Sequence, residues 1–267
     1  SFIRQFLWRP VKYDLSGLLK KGKNVIGVIL GDGWYNPSTA DCWHFDKVSW
    51  ADYPKLICEL EIGGKTVLAS DDSWKCLRRE GPITFNALRN GEFYDARKEL
   101  TGWSSAGFDD SAWENAEIIP GPGGVLTLQT MPPCKVTGTV KPVRVFPAAD
   151  GGVIFDCGGA CTGWARIRVK GEAGAVVKLR YSELLNADGN KIDTSNIDQL
   201  VKSGEFQTDR YTLSGKGVEE WEPRFVYHGF NFVEATVQSG KAEILELEGR
   251  LVRTAFDSVG SFECSMP

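Results

Sequence analysis

Ala165-Arg166-Ile167-Arg168-Val169-Lys170, the turn Gly171-Glu172-Ala173-Gly174, and Val176-Val177-Lys178-Leu179-Arg180-Tyr181 together decide the fold. Apolar and basic residues alternate on both sides of the turn. A period of two sends one face of each segment into a core and the other into water, as a 3.6-residue period cannot. The pattern predicts a half-exposed antiparallel pair, and Phe206 to Leu213 with Phe230 to Val237 predict a second. Earlier in the chain, Lys55 to Ile62 leads through Gly63-Gly64 into Lys65 to Ala69, a hairpin signature. Val25-Ile26-Gly27-Val28-Ile29-Leu30 is a continuous run suited to a strand buried on both faces. Helical candidates are short, Asp14 to Leu19 and Ile197 to Leu200. With 30 Gly and 12 Pro setting turns between many short strands, the expected class is all-β, with two antiparallel, jelly-roll-like β-sandwich domains. Helix content should fall below the roughly 30 to 35% of an average globular protein.

Ile119-Pro120-Gly121-Pro122-Gly123-Gly124 concentrates backbone breakers and marks the expected boundary. It divides the chain into a first domain over 1–124, a second over 125–255 and a linker over 256–267. Asp71-Asp72-Ser73-Trp74 and Asp109-Asp110-Ser111-Ala112-Trp113 read as Asp/Ser turns that each deliver a Trp to the core.

The chain has 267 residues, with 31 Lys and Arg against 35 Asp and Glu for a net charge of -4. That length supports a full hydrophobic core without staples. A mild negative charge argues against nucleic acid or an anionic membrane as partner, since both need clustered cations. No stretch approaches the roughly 18 apolar residues of a membrane span. The seven cysteines are odd in number and irregular in spacing, so they read as small buried hydrophobes rather than a disulfide framework. Ser1 opens on Phe2-Ile3-Arg4-Gln5-Phe6, which reads as a strand, and the sequence reads as a piece of something longer.

Standard nucleophile, phosphate-loop and zinc-protease motifs are absent. His228 reads as a structural, hydrogen-bonded residue at a strand turn, and Cys157 and Cys161 lack the partner pair of a zinc site. The adjacent carboxylates Asp71-Asp72 and Asp109-Asp110 sit in turns where they cap backbone N–H groups. Aromatic residues are more telling, because nine Trp, seven Tyr and fourteen Phe include several in loops, among them Trp43, Phe45 and Trp50. Within Gly31-Asp32-Gly33-Trp34-Tyr35-Asn36-Pro37, the loop residues Asp32, Trp34, Tyr35 and Asn36 combine aromatic faces with oxygen acceptors. A sugar asks for that combination, since its C–H faces pack on rings and its hydroxyls need acceptors. The competing reading makes Trp34 and Tyr35 core residues at a strand end, with Asp32 and Asn36 as turn residues. Glu92 and Tyr94 are candidate contributors from a second strand.

Several ordered motifs resemble bacterial α-L-rhamnosidases. They run from Asp14-Leu15-Ser16-Gly17-Leu18-Leu19 through Gly31-Asp32-Gly33-Trp34-Tyr35, Gly91-Glu92-Phe93-Tyr94-Asp95-Ala96-Arg97 and Gly102-Trp103. The second half continues with Phe155-Asp156-Cys157-Gly158, Arg180-Tyr181-Ser182-Glu183-Leu184-Leu185, Asp209-Arg210-Tyr211-Thr212-Leu213, Trp221-Glu222-Pro223-Arg224-Phe225 and Gly260-Ser261-Phe262-Glu263-Cys264-Ser265. The resemblance implies two β-sandwiches, the first galactose-binding-like, preceding an (α/α)6-barrel that holds the catalytic carboxylates. No catalytic residue is therefore carried onto this chain. It further implies a secreted or periplasmic bacterial enzyme acting on terminal α-L-rhamnosides. The chain would supply sugar recognition and scaffolding, with calcium used in part of the family and the downstream catalytic domain as partner. The alternative is a purely structural pair that braces the barrel and binds no sugar. Two departures bear on sugar contacts: Gly158-Gly159-Ala160 replaces the usual Gly-Gln-Asn, and Asn231 stands where an Arg commonly follows Gly-Phe.

Overall fold

A computed structural model of the chain describes residues 10–78, 80–121 and 125–265. The Phe2 to Phe6 segment and Pro122-Gly123-Gly124 of the expected boundary lie outside them. The fold is nearly all β, 39% strand and 4% helix, as the turn-rich sequence requires. No helix among the described residues is long and apolar enough to cross a membrane.

Strands β1 (Glu59–Ile62) and β2 (Lys65–Ala69) form the expected hairpin. Gly63 and Gly64 both hold positive φ, 58° and 74°, the combination a tight two-residue turn needs. The two Asp/Ser turns also form, Ser73 N–H donating to Asp71 Oδ1 at 2.9 Å and Ser111 N–H to Asp109 Oδ1 at 3.1 Å, but their tryptophans stay half-buried outside the core, Trp74 donating to the Ala69 carbonyl and Trp113 packing on Trp103 and Phe108. The short strands that follow them, β3 (Lys75–Cys76) and β6 (Glu114–Asn115), pair with each other.

The main sheet has ten strands: β4 (Ile83–Ala87), β5 (Gly91–Asp95), β7 (Cys134–Val140), β8 (Arg144–Pro147), β9 (Val153–Gly171), β10 (Val176–Ser182), β13 (Thr208–Thr212), β14 (Val218–Trp221), β15 (His228–Ser239) and β16 (Ala242–Thr254). Their order is β4-β5-β13-β10-β15-β9-β16-β7, with β8 and β14 also paired to β9. Two further strands, β11 (Leu184–Leu185) and β12 (Ile192–Asp193), make a separate ribbon. Strands from both sides of residue 124 thus share one sheet. Pairing is antiparallel except where β5 runs parallel to β13, in register Phe93 with Arg210 and Tyr94 with Tyr211.

The sheet curls because β9 changes partners along its length. Its first part pairs with β8 and β15, and its last part pairs with β14 and β16. Gly158 and Gly163 between them have φ of 75° and 140°, which L side chains rarely adopt. At Gly163 a Cβ would lie 2.0 Å from the Arg250 carbonyl oxygen, so the corner accepts only glycine.

Both predicted strand pairs need correction. β9 and β10 are half-exposed with alternating burial, as expected, but they are not hydrogen-bonded neighbours, because β15 lies between them. They meet face to face: Ala165, Ile167 and Val169 share a core with Val177, Leu179 and Tyr181, and Tyr181 Oη accepts from Ala165 N–H at 3.2 Å. Likewise β13 and β15 flank β10 rather than each other. Alternation specifies which face is buried, not which strand is adjacent. Val25 to Leu30 forms no strand, and Val25, Val28, Ile29 and Leu30 are exposed. An apolar run becomes a strand only where a ladder partner satisfies its backbone, and among the described residues it has none. Of the cysteines only Cys157 and Cys161 are buried, where burial pushes the Cys157 thiol up to about 12. The other five fall on loops, sheet edges and short strands where the core does not reach. Ile197 to Leu200 overlaps one helical turn at Ser195–Asp198, and Asp14 to Leu19 makes one turn.

Candidate functional site

The loop from Asp32 to Asn36 forms a turn closed by Asn36 N–H donating to the Gly33 carbonyl at 3.1 Å. Its Asn36 amide also donates to Asp32 Oδ1 at 2.6 Å. The turn is fastened to the β4–β5 hairpin by Asn86, whose amide oxygen accepts from Asp32 N–H at 3.3 Å and whose NH2 donates to the Asp32 carbonyl at 2.9 Å. Asn90 repeats this, accepting from Thr39 Oγ1 at 2.7 Å and donating to the carbonyls of Ser203 and Glu205. Both asparagines are buried, so these bonds are shielded from competing water and hold the loop firmly.

On that support Trp34 remains 45% exposed. Phe45 meets its ring edge-on at 5.1 Å, and the Arg89 guanidinium lies 5.1 Å from its centroid. Arg89 also stacks 4.2 Å from the centroid of Trp43, itself 57% exposed, so one cation ties two outward-facing indoles together. Asp41 fixes Arg89 through an ion pair at 3.3 Å. Asp41 and His44 both hold left-handed φ, 50° and 57°, so strained backbone flanks Trp43 on either side. The ring of Tyr35 carries the Lys55 ammonium at 5.3 Å, and its hydroxyl accepts from the same group at 3.0 Å. Between the loop and Ala87-Leu88 lies a hollow of about 20 Å³, room for a water at most.

The six sequence candidates divide. Asp32, Trp34, Tyr35 and Asn36 stand together, whereas Glu92 and Tyr94 point into the protein. Glu92 is fully buried, and its Oε2 accepts from the N–H groups of Arg224 at 3.0 Å and Phe225 at 3.1 Å. Tyr94 donates to Glu99 Oε1 at 2.7 Å and packs on Tyr211 and Trp221, with burial pushing its phenol well above the ordinary value. Neither can touch a ligand on the loop. Glu92 sits opposite Asn86 in the β4–β5 register, so its contribution to the loop is support from beneath. Sequence reading missed Asn86, Arg89, Asn90 and Asp41. The available signal was Asn90-Gly91, a turn dipeptide that places the residues before it at a hairpin tip.

Beneath the hairpin lies a buried polar knot. Asp209 Oδ1 accepts from Glu92 N–H at 2.8 Å, and Oδ2 accepts from Tyr181 Oη at 2.6 Å. His228 Nε2 donates to the same carboxylate, 3.2 Å from each oxygen, and its ring stacks on Tyr181 at 4.3 Å. His228 is thus the structural histidine expected. Burial, opposed by the two backbone donors and reinforced by Asp209, pushes the Glu92 carboxyl from 4.5 up to about 7. A carboxyl that holds its proton more tightly folded than unfolded stabilises fully below the unfolded value. That stability is lost as pH rises from about 4.5 to about 7. Glu92→Gln keeps an acceptor for both N–H groups and removes the titration. The variant should match the wild type near pH 4.5 and exceed it at pH 8 by on the order of 2 kcal/mol. Urea midpoints at the two pH values check this, and a wild-type-minus-variant difference that does not change with pH would contradict it.

Residues 8–138 match the family described as Alpha-L-rhamnosidase N-terminal domain, and residues 147–253 match Bacterial alpha-L-rhamnosidase concanavalin-like domain. An alpha-L-rhamnosidase of Streptomyces avermitilis is 34% identical over 265 residues, 96% of this chain and 24% of that protein. One from Formosa agariphila is 32% identical over 270 residues, 96% of this chain and 27% of its own length. The structure of alpha-L-rhamnosidase from Dictyoglumus thermophilum superposes with a TM-score of 0.73 at 38% identity, covering 89% of this chain and 25% of that one. The Streptomyces avermitilis alpha-L-rhamnosidase complexed with L-rhamnose gives 0.67 at 35% identity, covering 76% and 19%. The chain thus spans about a quarter of the length of these relatives, and with both family matches along it, it belongs to the bacterial α-L-rhamnosidase family.

Proposed function

We propose that this chain is the carbohydrate-recognition and scaffolding portion of an α-L-rhamnosidase, holding a rhamnose ring on the exposed indole of Trp34 beside Trp43. The whole enzyme would hydrolyse terminal α-L-rhamnosides, with its chemistry in the part of the relatives' length that lies outside this chain. The single supporting observation is that Trp34 stays open to solvent on a loop anchored by buried asparagines. Rhamnose offers a methyl group and C–H faces to the ring, and Asp32, Asn36 and the Arg89 edge offer polar partners for its hydroxyls.

Calcium does not enter this reading. The ion takes six to eight oxygen ligands, whereas the Asn36 amide turns its NH2 toward Asp32 and the Asp41 carboxylate is held by Arg89.

Trp34→Ala should weaken rhamnose binding by about 1 to 3 kcal/mol through the lost apolar contact. Its unfolding free energy should stay within about 1 kcal/mol of wild type, because the ring is half open to water. Calorimetric titration and thermal melting read the two effects. Unchanged binding, or a stability loss of about 3 to 5 kcal/mol with no sugar affinity in the wild type, would assign Trp34 to bracing alone.

A further inference from the structure

We propose that the cleft between β10 and residues 198–208 is a second binding site, for a sugar that carries a carboxylate. The inference stands on its own residues and goes beyond the reading of the Trp34 surface. The cleft is about 490 Å³, large enough for one or two sugar rings. Phe206 lines it and supplies an apolar face, and Ser203 brings a hydroxyl that accepts from Asp41 N–H and keeps its own proton to donate. Three cations converge there, Lys178, Arg180 and Lys202.

Their partners separate their roles. Lys178 is committed to Glu205 at 2.8 Å, and Arg210 binds the same carboxylate. Asp198, the other acid lining the cleft, accepts from Thr194 Oγ1 at 2.7 Å. Glu234, opposite Arg180 in the sheet register and buried, and Asp150 both lie within electrostatic reach of Arg180, yet neither closes an ion pair with it. Asp150 is held by Lys191 at 3.0 Å. Arg180 and Lys202 therefore make no ion pair among the described residues, although both line a concave site where fields from like charges reinforce. A carboxylate on a hydroxylated ring answers this arrangement, with the anion between the two cations, the ring on Phe206, and the carboxylates of Asp198 and Glu205 accepting from its hydroxyls.

The cleft adjoins the aromatic surface. Lys202 N–H donates to the Asp41 carbonyl at 2.8 Å, and Asp41 N–H donates to Ser203 Oγ at 3.0 Å. Asp41 in turn holds the Arg89 that links Trp34 and Trp43. One wall is therefore common to both sites, and an acidic oligosaccharide could run from one to the other.

The test titrates the full 267-residue chain with D-galacturonate and with D-galactose, which differ at C6 by carboxylate against hydroxymethyl. Amide chemical shifts of 178–208 report the binding. Galacturonate should bind at least about tenfold more tightly than galactose, and added salt should weaken it. Arg180→Gln with Lys202→Ala, both at solvent-accessible positions, should lower galacturonate affinity about tenfold while the melting temperature holds. Trp34→Ala should leave this titration unchanged, so failure of the indole site and failure of the cleft are read separately. Equal binding of the two sugars, or a double variant that binds like wild type, would overturn the proposal. So would inorganic sulfate displacing galacturonate at equal concentration and constant ionic strength, which would make the cleft a bare anion site.

Discussion

Replacing Asp209 by Ala should lower the unfolding free energy by about 3 to 5 kcal/mol, the range for breaking a buried charged network on one side. Asp209 is fully buried and receives three donors: Glu92 N–H, Tyr181 Oη–H and His228 Nε2–H. Tyr181, His228 and Glu92 are themselves inaccessible to water, so none can recover a partner from solvent. The effect is amplified by where the donors come from. Glu92 lies on β5, Asp209 on β13, Tyr181 on β10 and His228 on β15, four strands of one sheet. Asp209→Asn retains an oxygen for the Glu92 N–H and should lose clearly less. Denaturant unfolding of both variants measures this, and an Asp209→Ala chain with wild-type stability would show the knot to be dispensable.

Gly91→Ala should be at least as damaging, with an expected loss above about 4 kcal/mol or no folded protein at all. Gly91 has φ of +142°, and a Cβ there would lie 1.7 Å from the Thr208 carbonyl oxygen and 2.6 Å from its carbon. Backbone cannot swing aside as a flexible side chain can. Thr208 also donates its N–H to the Asn90 carbonyl at 2.8 Å, so separating the strands breaks that bond and strains the parallel pairing of Phe93 with Arg210. The matched control is Gly33→Ala on the aromatic loop, where a Cβ meets nothing within 4 Å and the expected change is within about 0.5 kcal/mol. Circular dichroism and soluble yield for the pair decide the matter. A folded Gly91→Ala chain would mean that the strands part more easily than their packing implies.

Local patterns were the legible part of this sequence. Alternation over Ala165 to Lys170 and Val176 to Tyr181 reports correctly which residues face the core, because side-chain direction is a property of each strand alone. Adjacency is not local. β15 inserts between those strands from about 50 residues further on, and no feature of the turn at Gly171 to Gly174 announces it. The Gly63-Gly64 hairpin was readable because the two residues dictate their own turn.

The same contrast runs through the candidate site. Asp32 to Asn36 stands out as an aromatic and polar loop within five residues. Glu92 and Tyr94 have equally suggestive chemistry, but they share one face of β5, and the fold packs that face into the interior, with Tyr94 against Tyr211 and Trp221. The Asp209 carboxylate that accepts from Glu92 N–H lies 117 residues further along the chain, a separation at which composition and spacing carry no information. Arg89 is a single cation in an ordinary turn until the fold sets Trp34 on one side of it and Trp43 on the other.

The indole N–H resonances of the nine Trp residues offer the most direct measurement of the sugar-recognition claim. Titrated with L-rhamnose, the signals of Trp34 and Trp43 should move together along one saturable curve. Those of Trp74, Trp113, Trp164 and Trp221, set away from the proposed surface, should stay in place. A titration in which Trp34 does not move while the chain remains folded would contradict recognition at this loop and leave the chain with a bracing role alone.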